Sequence, residues 1–362
     1  MKVVGIDPGT RSFDLCGLED GQIFIDRTMA SAMIGEEPEA IIEVLKSAAP
    51  IDFIVGPSGY GLPLMHISEV GDTENFLMLL VRPDDSKIIF LKGMSKIIGM
   101  LKDEGFNVYF APGVVHMPTV PEHRKINKID MGTADKLCCT VLAVHNQARH
   151  LGISYEETSF ILVELGFGYN AVVGVENGQI VDGIGGTMSG PGFQCLGGMD
   201  SELAYLMDGF SKNLLFSGGV VDITGKKNLT PEEFANTVGI DERYNTAWKA
   251  FMEGVEKSVI SINVSVGEPK EILISGRLSK IHRIYKEVSK RLSYLGEVRK
   301  LEGFAEISKE AAQGAALIAD GLADGKYSEL VETLRIREAK GTVLDYIYLG
   351  GIGQLKRRYG IP

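Results

Sequence analysis

Two distant stretches of the chain carry the same order of apolar and polar positions. In residues 2–28, an apolar run ends in a carboxylate and a glycine turn, and a second apolar run leads to a polar tip. The chain from Phe160 onward repeats this order without a gap, so that Asp7 aligns with Glu164. Short apolar runs separated by turns predict β-strands, and each copy therefore predicts a three-stranded meander. The tips of the two hairpins are dipeptides typical of type I′ turns, Asp20-Gly21 and Asn177-Gly178.

Helical and strand-like patterns alternate after each meander. Apolar residues at helical spacing predict helices over residues 36–49, 72–80, 84–104, 133–150, 241–264 and 307–322, and from Leu278 onward. Short apolar runs predict strands at residues 51–56, 107–110 and 271–275. Residues 230–233 form a capping box with proline at the first helical position, whereas residues 112–130 have no clear period. The alternation predicts an α/β architecture with mixed sheets.

A repeat separated by about half of the chain predicts two related domains. We place the join near residues 150–158, which gives domains of residues 1–155 and 156–362, and the last helices could pack back on the first domain. The small residues within 307–322 would let another element approach this helix closely. The two acid-and-glycine turns are then expected to face one cleft.

The formal net charge of −11 argues against nucleic acid as a partner, because phosphate backbones need clustered Lys and Arg. It does not exclude a small anion held by backbone N–H groups. No apolar run is long enough to span a bilayer, and the first residues already form a strand pattern rather than a signal peptide. We therefore expect a cytoplasmic protein without a membrane partner. Whether it forms a homodimer is left open.

The pattern of cysteines does not favour a zinc site. The four cysteines form no Cys-x-x-Cys pair, so we interpret them as small buried side chains in a reducing compartment. They are Cys16, Cys138, Cys139 and Cys195.

The first glycine turn, residues 7–12, has the composition of an anion site. Gly9 allows close approach of a ligand to the backbone, successive N–H groups can bind an anion, and Thr10 and Ser12 add hydroxyls. Asp7 at the strand end could hold Mg²⁺ through water. The alternative is that Asp7 only caps its own turn.

The second turn follows the aligned strand. Gly166 and Gly168 again permit close approach to a phosphate, and Asn170 can donate a hydrogen bond to it. The alternative is an ordinary hairpin with glycines for twist. A third element is the strand, Gly276 turn and helix start, where a helix N-terminus could approach phosphate.

In this order, these three elements resemble those of the acetate and sugar kinase, heat-shock ATPase and actin superfamily. The closest resemblance is to an archaeal family described as predicted butyrate kinases. Residues 6–12 are similar to their opening Ile-Asn-Pro-Gly-Ser-Thr-Ser, and residues 164–168 resemble their His-Leu-Gly-Gly-Gly. Residues 55–61 stand where those enzymes carry Val-Gly-Arg-Gly-Gly, and residues 190–193 resemble their Gly-Pro-Phe-Ser substrate loop.

The resemblance implies a duplicated ribonuclease H-like fold that binds ATP and Mg²⁺ and transfers a phosphoryl group to a small molecule, with a short-chain carboxylate as the family-based acceptor. Asp7 would hold the metal, and Glu164 would orient metal or water. Nucleotide contacts are implied for Gly9, Thr10, Ser12, Gly166, Gly168, Asn170 and Gly276. Arg277 stands where the adenosine turn of that superfamily usually has a small residue, and it is a further candidate contact that could stack on the base or block it. Substrate contacts are implied for Ser58, Gly59, Gly190, Pro191 and Gly192.

Two arginines of those kinases are missing here. Residues 194–198 after the substrate loop contain no cation, and Pro57-Ser58 replaces the arginine of the early glycine loop. The basic residues within 123–128 could supply the charge or could form a solvated loop. The missing arginines favour a second hypothesis, a nucleotide-binding module that closes on ATP and engages a partner protein without transferring phosphate.

Asp135 is the candidate general base. It lies in the first turn of the helix predicted over 133–150 and resembles the aspartate of the Gly-x-Asp-Arg element in type III pantothenate kinases. A base at this position would favour a hydroxyl acceptor. The alternative is a carboxylate that only stabilises the helix N-terminus.

Overall fold

The computed structural model of the chain describes residues 1–9, 11–56, 59–82, 89–207, 209 and 211–361, and the side chains of all of these except residues 89–95. The chain divides into two compact units. Unit 1 comprises Met1–Ile129, Thr133–Glu156 and the chain from Glu302 to the C-terminus. Unit 2 comprises Asp130–Gly132 and Glu157–Leu301.

The sheet of unit 1 has the spatial order β3-β2-β1-β4-β6-β5. Its strands are β1 (Lys2–Pro8), β2 (Ser12–Glu19), β3 (Gln22–Ala30), β4 (Phe53–Gly56), β5 (Met65–His66) and β6 (Val108–Phe110). The first three strands form the antiparallel meander, while β4 runs parallel to β1 and β6 runs parallel to β4. The sheet is therefore mixed, as the sequence pattern predicts.

The helices of the first part of unit 1 follow the prediction with shifted ends. They are α1 (Ser31–Glu36), α2 (Glu39–Ala48), α3 (Asp72–Leu79), α4 (Ile89–Asp103), α5 (Glu122–Lys125) and α6 (Ala134–Leu151). The single helix predicted over 36–49 is wrong at its start, because Pro38 lacks the N–H needed to continue α1. Residues 84–88 of the helix predicted over 84–104 lie outside the described residues. The short helix α5 lies in the segment 112–130, for which the sequence predicted no element.

Unit 2 repeats the strand order of unit 1. Its strands are β7 (Phe160–Leu165), β8 (Asn170–Glu176), β9 (Gln179–Ile184), β10 (Glu271–Ser275) and β11 (Glu297–Lys300). The order β11-β10-β7-β8-β9 matches β6-β4-β1-β2-β3 strand for strand, with the same parallel and antiparallel pairings. This confirms the predicted α/β class with two ribonuclease H-like units.

The two meanders agree even in their irregularities. The register shifts at Gly17/Leu18 in the first and at Gly174/Val175 in the second, and these are aligned positions of the repeat. Both tips have the left-handed backbone of a type I′ turn, with φ of 50° at Asp20 and 51° at Asn177. The repeat seen in the sequence is therefore a repeat of backbone geometry.

A long helix covers the sheet of unit 2. The helices of this unit are α7 (Ser201–Leu206), α8 (Val220–Thr224), α9 (Pro231–Thr237), α10 (Glu242–Val266) and α11 (His282–Leu292). Asp241 caps α10, and the predicted capping box of Thr230 and Glu233 is present on α9. The helix predicted from Leu278 is wrong at its start, because residues Arg277–Lys280 form a 3₁₀ turn and α11 begins at His282.

The chain then returns to unit 1 and completes its core. The returning helices are α12 (Glu310–Leu322), α13 (Ser328–Thr333) and α14 (Ile352–Arg358). Every residue of α12 after Glu310 is buried. A Cβ on Gly5 of β1 would overlap the backbone of Ala316, and a Cβ on Gly314 would overlap the carbonyl of Cys138 in α6. The close approach predicted from the small residues of this helix is thus confirmed, and it fixes the N-terminus of α12 at the end of β1.

All four cysteines are free and buried, as predicted. Burial raises the pKa of the Cys16 and Cys195 thiols to about 12, which keeps both as inert thiols. None of the described helices is long and apolar enough to cross a membrane.

Candidate active site

The first glycine turn joins β1 to β2 and brings two carboxylates to one face of the hairpin. The Gly9 N–H donates to the Ser12 carbonyl at 2.9 Å, and the Ser31 hydroxyl donates to the Gly9 carbonyl at 2.7 Å. This turn sets the register in which Asp7 pairs with Asp14. Directly opposite residues of an antiparallel pair share a face, so the two carboxylates are neighbours. Both are buried, with 7% exposure at Asp7 and 1% at Asp14.

A lysine from the far end of the sequence reaches this turn. The Lys309 Nζ lies 3.3 Å from Asp14 Oδ2, and the Ser12 hydroxyl donates to the same oxygen at 2.8 Å. A Cβ built on Gly9 would lie 2.9 Å from the Lys309 Nζ and 3.8 Å from Asp7 Oδ2. The ammonium group therefore stands directly against the glycine of the turn.

The start of α6 presents the third carboxylate of unit 1. Thr133 is the N-cap residue, and its hydroxyl donates to the Asp135 carboxylate. The Lys136 Nζ donates to Asp135 Oδ2 at 2.7 Å. The Ala134 N–H donates to the Gly59 carbonyl at 3.1 Å, which brings the predicted substrate residue Gly59 next to Asp135. Thr10 and Ser58, two further predicted site residues, lie outside the described residues.

Asp7 and Asp135 influence each other electrostatically. Burial, followed by the nearby Asp135 carboxylate, raises the pKa of Asp7 to about 7, against the opposing effect of Lys309. Burial also raises the pKa of Asp135, but Lys136 and the Thr133 hydroxyl outweigh it and hold the pKa below its ordinary value. Asp135 is thus the ionised member of a carboxylate pair. The structure brings together the two aspartates that the sequence predicted as catalytic.

The second glycine turn has the hydrogen bond of the first. The Gly166 N–H donates to the Tyr169 carbonyl at 3.0 Å, which is the aligned equivalent of the bond from Gly9 to Ser12. A Cβ on Gly192 would overlap the Gly168 carbonyl, and the Asn170 Nδ2 lies 3.5 Å from the Pro191 carbonyl. The predicted substrate loop, residues 190–192, therefore packs directly on this turn.

The element after β10 also contacts the second turn. Ser275 pairs with Glu164, and a Cβ on Gly276 would lie 2.5 Å from the Leu165 carbonyl and 2.7 Å from Glu164 Oε1. The exposed guanidinium of Arg277 lies 5.7 Å from the centre of the Phe167 ring. Unit 2 thus gathers all of its predicted site residues around one turn, and it adds the ring of Phe167 as a platform for a cation.

Three charged side chains at the first turn are absent from the sequence prediction. Asp14 could have been found, because a turn that closes between residues 9 and 12 places residue 14 opposite residue 7. Lys136 directly follows Asp135, so its closeness could also have been expected. Lys309 gave no signal, because its position depends on how α12 packs against β1.

The carboxylates of unit 1 suit Mg²⁺ better than a metal ion whose ligands all come from the protein. Among the described residues, no group of three or more His, Cys, Asp or Glu side chains is arranged to hold a metal ion. Mg²⁺ commonly uses one or two carboxylates and completes its shell with water and phosphate oxygens. Burial and then the Asp135 carboxylate raise the pKa of Asp7, and a cation bound beside Asp7 would oppose both effects by stabilising its ionised form. The residues present therefore fit this metal at Asp7.

Comparisons with known proteins agree with this architecture. The model of a family described as "Protein of unknown function (DUF1464)" matches residues 5–349. A search of curated protein sequences found no significant match. The fold is similar to that of acetate kinase from Entamoeba histolytica, with a TM-score of 0.61 and 14% identity over 82% of this chain and 87% of that chain. It is equally similar to a propionate kinase from Francisella tularensis, with a TM-score of 0.61 and 14% identity over 86% and 98% of the two chains. At this identity, the likeness shows the fold that the chain shares with these kinases.

Proposed function

The chain belongs to the DUF1464 family, and we propose that it is an ATP-dependent phosphotransferase that acts on a small molecule. The observation that supports this most is the charge arrangement at the first turn. Asp7 and Asp135 form a carboxylate pair beside the first glycine turn, with Lys136 and Lys309 close by. Pairs of titratable groups whose environments push their pKa values apart are characteristic of active sites.

ATP is the phosphoryl donor in this proposal. Gly9 and Ser12 would contact its outer phosphates, together with Thr10. The second turn, through Gly166 and Gly168, would contact phosphate in the same way, because it is closed by the equivalent hydrogen bond. Gly276 and Arg277 would contact the adenosine, and the exposed guanidinium over Phe167 is a surface on which a base can stack.

Mg²⁺ would be held at Asp7. When bound, the metal would supply positive charge to phosphate oxygens as the phosphoryl group is transferred. The protein would contribute position and charge. Backbone N–H groups of the two turns would orient the phosphates, and Asp135, kept in place by Thr133 and Lys136, would face the acceptor.

We favour a short-chain carboxylate as the acceptor, on the resemblance of residues 6–12 and 190–193 to butyrate kinases. A hydroxyl acceptor is the second candidate, because the Asp135 carboxylate is ionised and only partly buried. An ionised carboxylate can accept the proton that a hydroxyl loses during transfer, whereas a carboxylate acceptor needs no such base.

The test is an assay of ADP release by the purified protein with Mg·ATP and a panel of short-chain carboxylates and alcohols. Release that depends on a carboxylate, with an acyl phosphate trapped by hydroxylamine, supports the favoured acceptor. Release that depends on an alcohol and falls in Asp135→Asn supports the hydroxyl acceptor. Tight ATP binding without turnover on any compound supports the nucleotide-binding module instead. Failure to bind ATP contradicts all three.

A further inference from the structure

We propose that Lys309 contacts the outermost phosphate of the bound nucleotide, and that it supplies positive charge that the sequence lacks in residues 55–61 and 190–198, where the kinases it resembles carry arginines. This inference rests on the proposed function and assigns a further residue to the same site. Three features of unit 1 support it: the position of the Lys309 ammonium, the fixed backbone of Lys309, and the long distance between the ammonium and Asp14.

The ammonium stands where a phosphate would approach the turn. The Lys309 Nζ lies 2.9 Å from the position that a Cβ on Gly9 would occupy. A glycine in an anion-binding turn leaves that space open so that a ligand can come close to the backbone. A phosphate bound to this turn would therefore meet Lys309 within hydrogen-bonding reach.

The backbone of Lys309 is fixed by the core of unit 1. Lys309 is the N-cap residue of α12, a helix that packs against β1 and α6 and in which every residue after Glu310 is buried. The side chain nevertheless retains 34% exposure, so its end is accessible to a ligand from solvent. Because the backbone is already fixed, binding a phosphate would cost Lys309 only the conformational freedom of its side chain.

The present partner of Lys309 holds it loosely. The Nζ to Asp14 Oδ2 distance of 3.3 Å is longer than the usual 2.7–2.9 Å of a charge-assisted hydrogen bond. Asp14 also accepts a hydrogen bond from the Ser12 hydroxyl at 2.8 Å. Asp14 would therefore keep a partner if Lys309 turned toward a phosphate. Asp14 therefore keeps the Lys309 ammonium near the turn through a weak ion pair that a contact with phosphate could replace.

The test compares the affinities of ATP, ADP and adenosine by titration calorimetry in the presence of Mg²⁺. Lys309→Met should weaken ATP binding by about tenfold to a hundredfold, the range expected for a lost hydrogen bond to a charged group. ADP should be affected less and adenosine not at all, because Lys309 is assigned to the outermost phosphate. Lys309→Arg should restore most of the ATP affinity. Lys326→Met is the matched control, since this lysine lies beside Gly21 at the opposite end of the hairpin.

The alternative is that Lys309 serves only as the counter-ion of buried Asp14. In that case Lys309→Met would lower the melting temperature and leave the affinity ratio between ATP and adenosine unchanged. Lys309→Met leaves the buried Asp14 carboxylate without its lysine partner, and the single variant could therefore fold poorly. The double variant Lys309→Met, Asp14→Asn removes that carboxylate charge, so the affinities of ATP and adenosine can still be compared. An unchanged ratio in the double variant overturns the assignment of Lys309 alone. Failure of the parent protein to bind any of the three ligands overturns the proposed function, and the Lys309 assignment with it.

Discussion

At the scale of single residues, the sequence predicts those candidate site residues whose position follows from a local pattern. Asp7, Gly9 and Gly166 were identified because a strand end and a turn can be recognised locally. Asp135 was identified from its place at a helix start, and the structure adds Lys136 and Thr133 as the groups that keep it ionised. Lys309 could not be found in this way, because no local pattern relates it to Gly9.

Replacement of Asp7 by Asn tests the metal-binding role. The variant should fold, because Asn is close in shape and the carboxylate is already destabilised by burial and by Asp135. Turnover should fall by about 10²–10³, as is typical when one well-placed charge-stabilising group is lost. The measurement is ADP release with saturating Mg·ATP, with circular dichroism as the check on folding. Asp324→Asn, at an exposed carboxylate, is the control, and equal rates for Asp7→Asn and the parent protein would refute the role.

Replacement of Gly166 by Ala tests the second turn. A Cβ there would lie 2.5 Å from the Tyr169 carbonyl and 3.1 Å from Glu164 Oε2, so the turn itself must open. We expect a loss of ATP affinity of at least about tenfold, measured by calorimetry. Gly99→Ala in α4 is the control, because it meets no atom within 4 Å and should be neutral or stabilising by up to about 1 kcal/mol. Parent-like affinity in Gly166→Ala would mean that this turn is an ordinary hairpin.

At the scale of elements, the sequence predicted the type and order of the helices and strands better than the residues at which they begin and end. The meanders, the long helix α10 and the capped helix α9 were evident because their signals are strong and local. Misplaced ends occurred where one residue changes the local geometry. Pro38 separates α1 from α2, and the chain after Gly276 makes a 3₁₀ turn before α11 begins. Such ends depend on a single hydrogen bond rather than on hydrophobic periodicity.

The carboxylate of Asp26 connects β3 to the segment that precedes α12, and it makes the stability of unit 1 depend on pH. Asp26 of β3 accepts backbone N–H bonds from Glu306 at 2.9 Å, Ile307 at 2.9 Å and Ser308 at 2.6 Å. Burial raises the pKa of Asp26, but the hydrogen bonds outweigh it and hold the pKa below its ordinary value. The stabilisation is therefore present above the unfolded-state pKa of about 3.9 and is lost as the pH falls through the lower folded-state pKa.

Asp26→Asn should reduce the free energy of unfolding at pH 7 by about 1–3 kcal/mol, because hydrogen bonds to a charged acceptor become bonds to a neutral one. The difference from the parent protein should shrink as the pH falls below about 4. Urea unfolding at several pH values measures both. Glu43→Gln, at an exposed position of α2, is the control. A difference that stays constant with pH would show that the ionised form of Asp26 is not what stabilises this junction.

At the scale of the whole molecule, the duplicated architecture followed from the repeat, but the path of the chain did not. The segment Asp130–Gly132 belongs to unit 2, where the Asp130 carboxylate accepts the Thr187 N–H at 3.0 Å and the Gly132 N–H at 3.1 Å. The chain from Glu302 belongs to unit 1. These assignments depend on contacts between residues far apart in sequence, for which periodicity carries no information.

Truncation after Leu301 tests whether unit 1 needs the C-terminal segment that returns to it. The shortened protein lacks α12, whose buried residues pack against β1 and α6, so unit 1 should lose its cooperative unfolding transition. Differential scanning calorimetry would detect this. Truncation after Gly350 is the milder control, because it removes α14, which has no buried residues, and a short tail in which Tyr359 stacks on Phe76 and Ile361 is buried. Native-like unfolding of the chain that ends at Leu301 would mean that α12 is dispensable for unit 1.

The interrupted path of unit 1 has a consequence for how the protein is made. A ribosome finishes the whole of unit 2 before it synthesises α12, so unit 2 has its complete sequence first although unit 1 is begun first. The last strand of the unit 1 sheet ends at Phe110 and α12 begins at Glu310, so at usual elongation rates of 5–20 residues per second the sheet waits roughly 10–40 s for this helix. During that time the apolar face around Gly5 has nothing to cover it, and the nascent chain is a natural client for a chaperone.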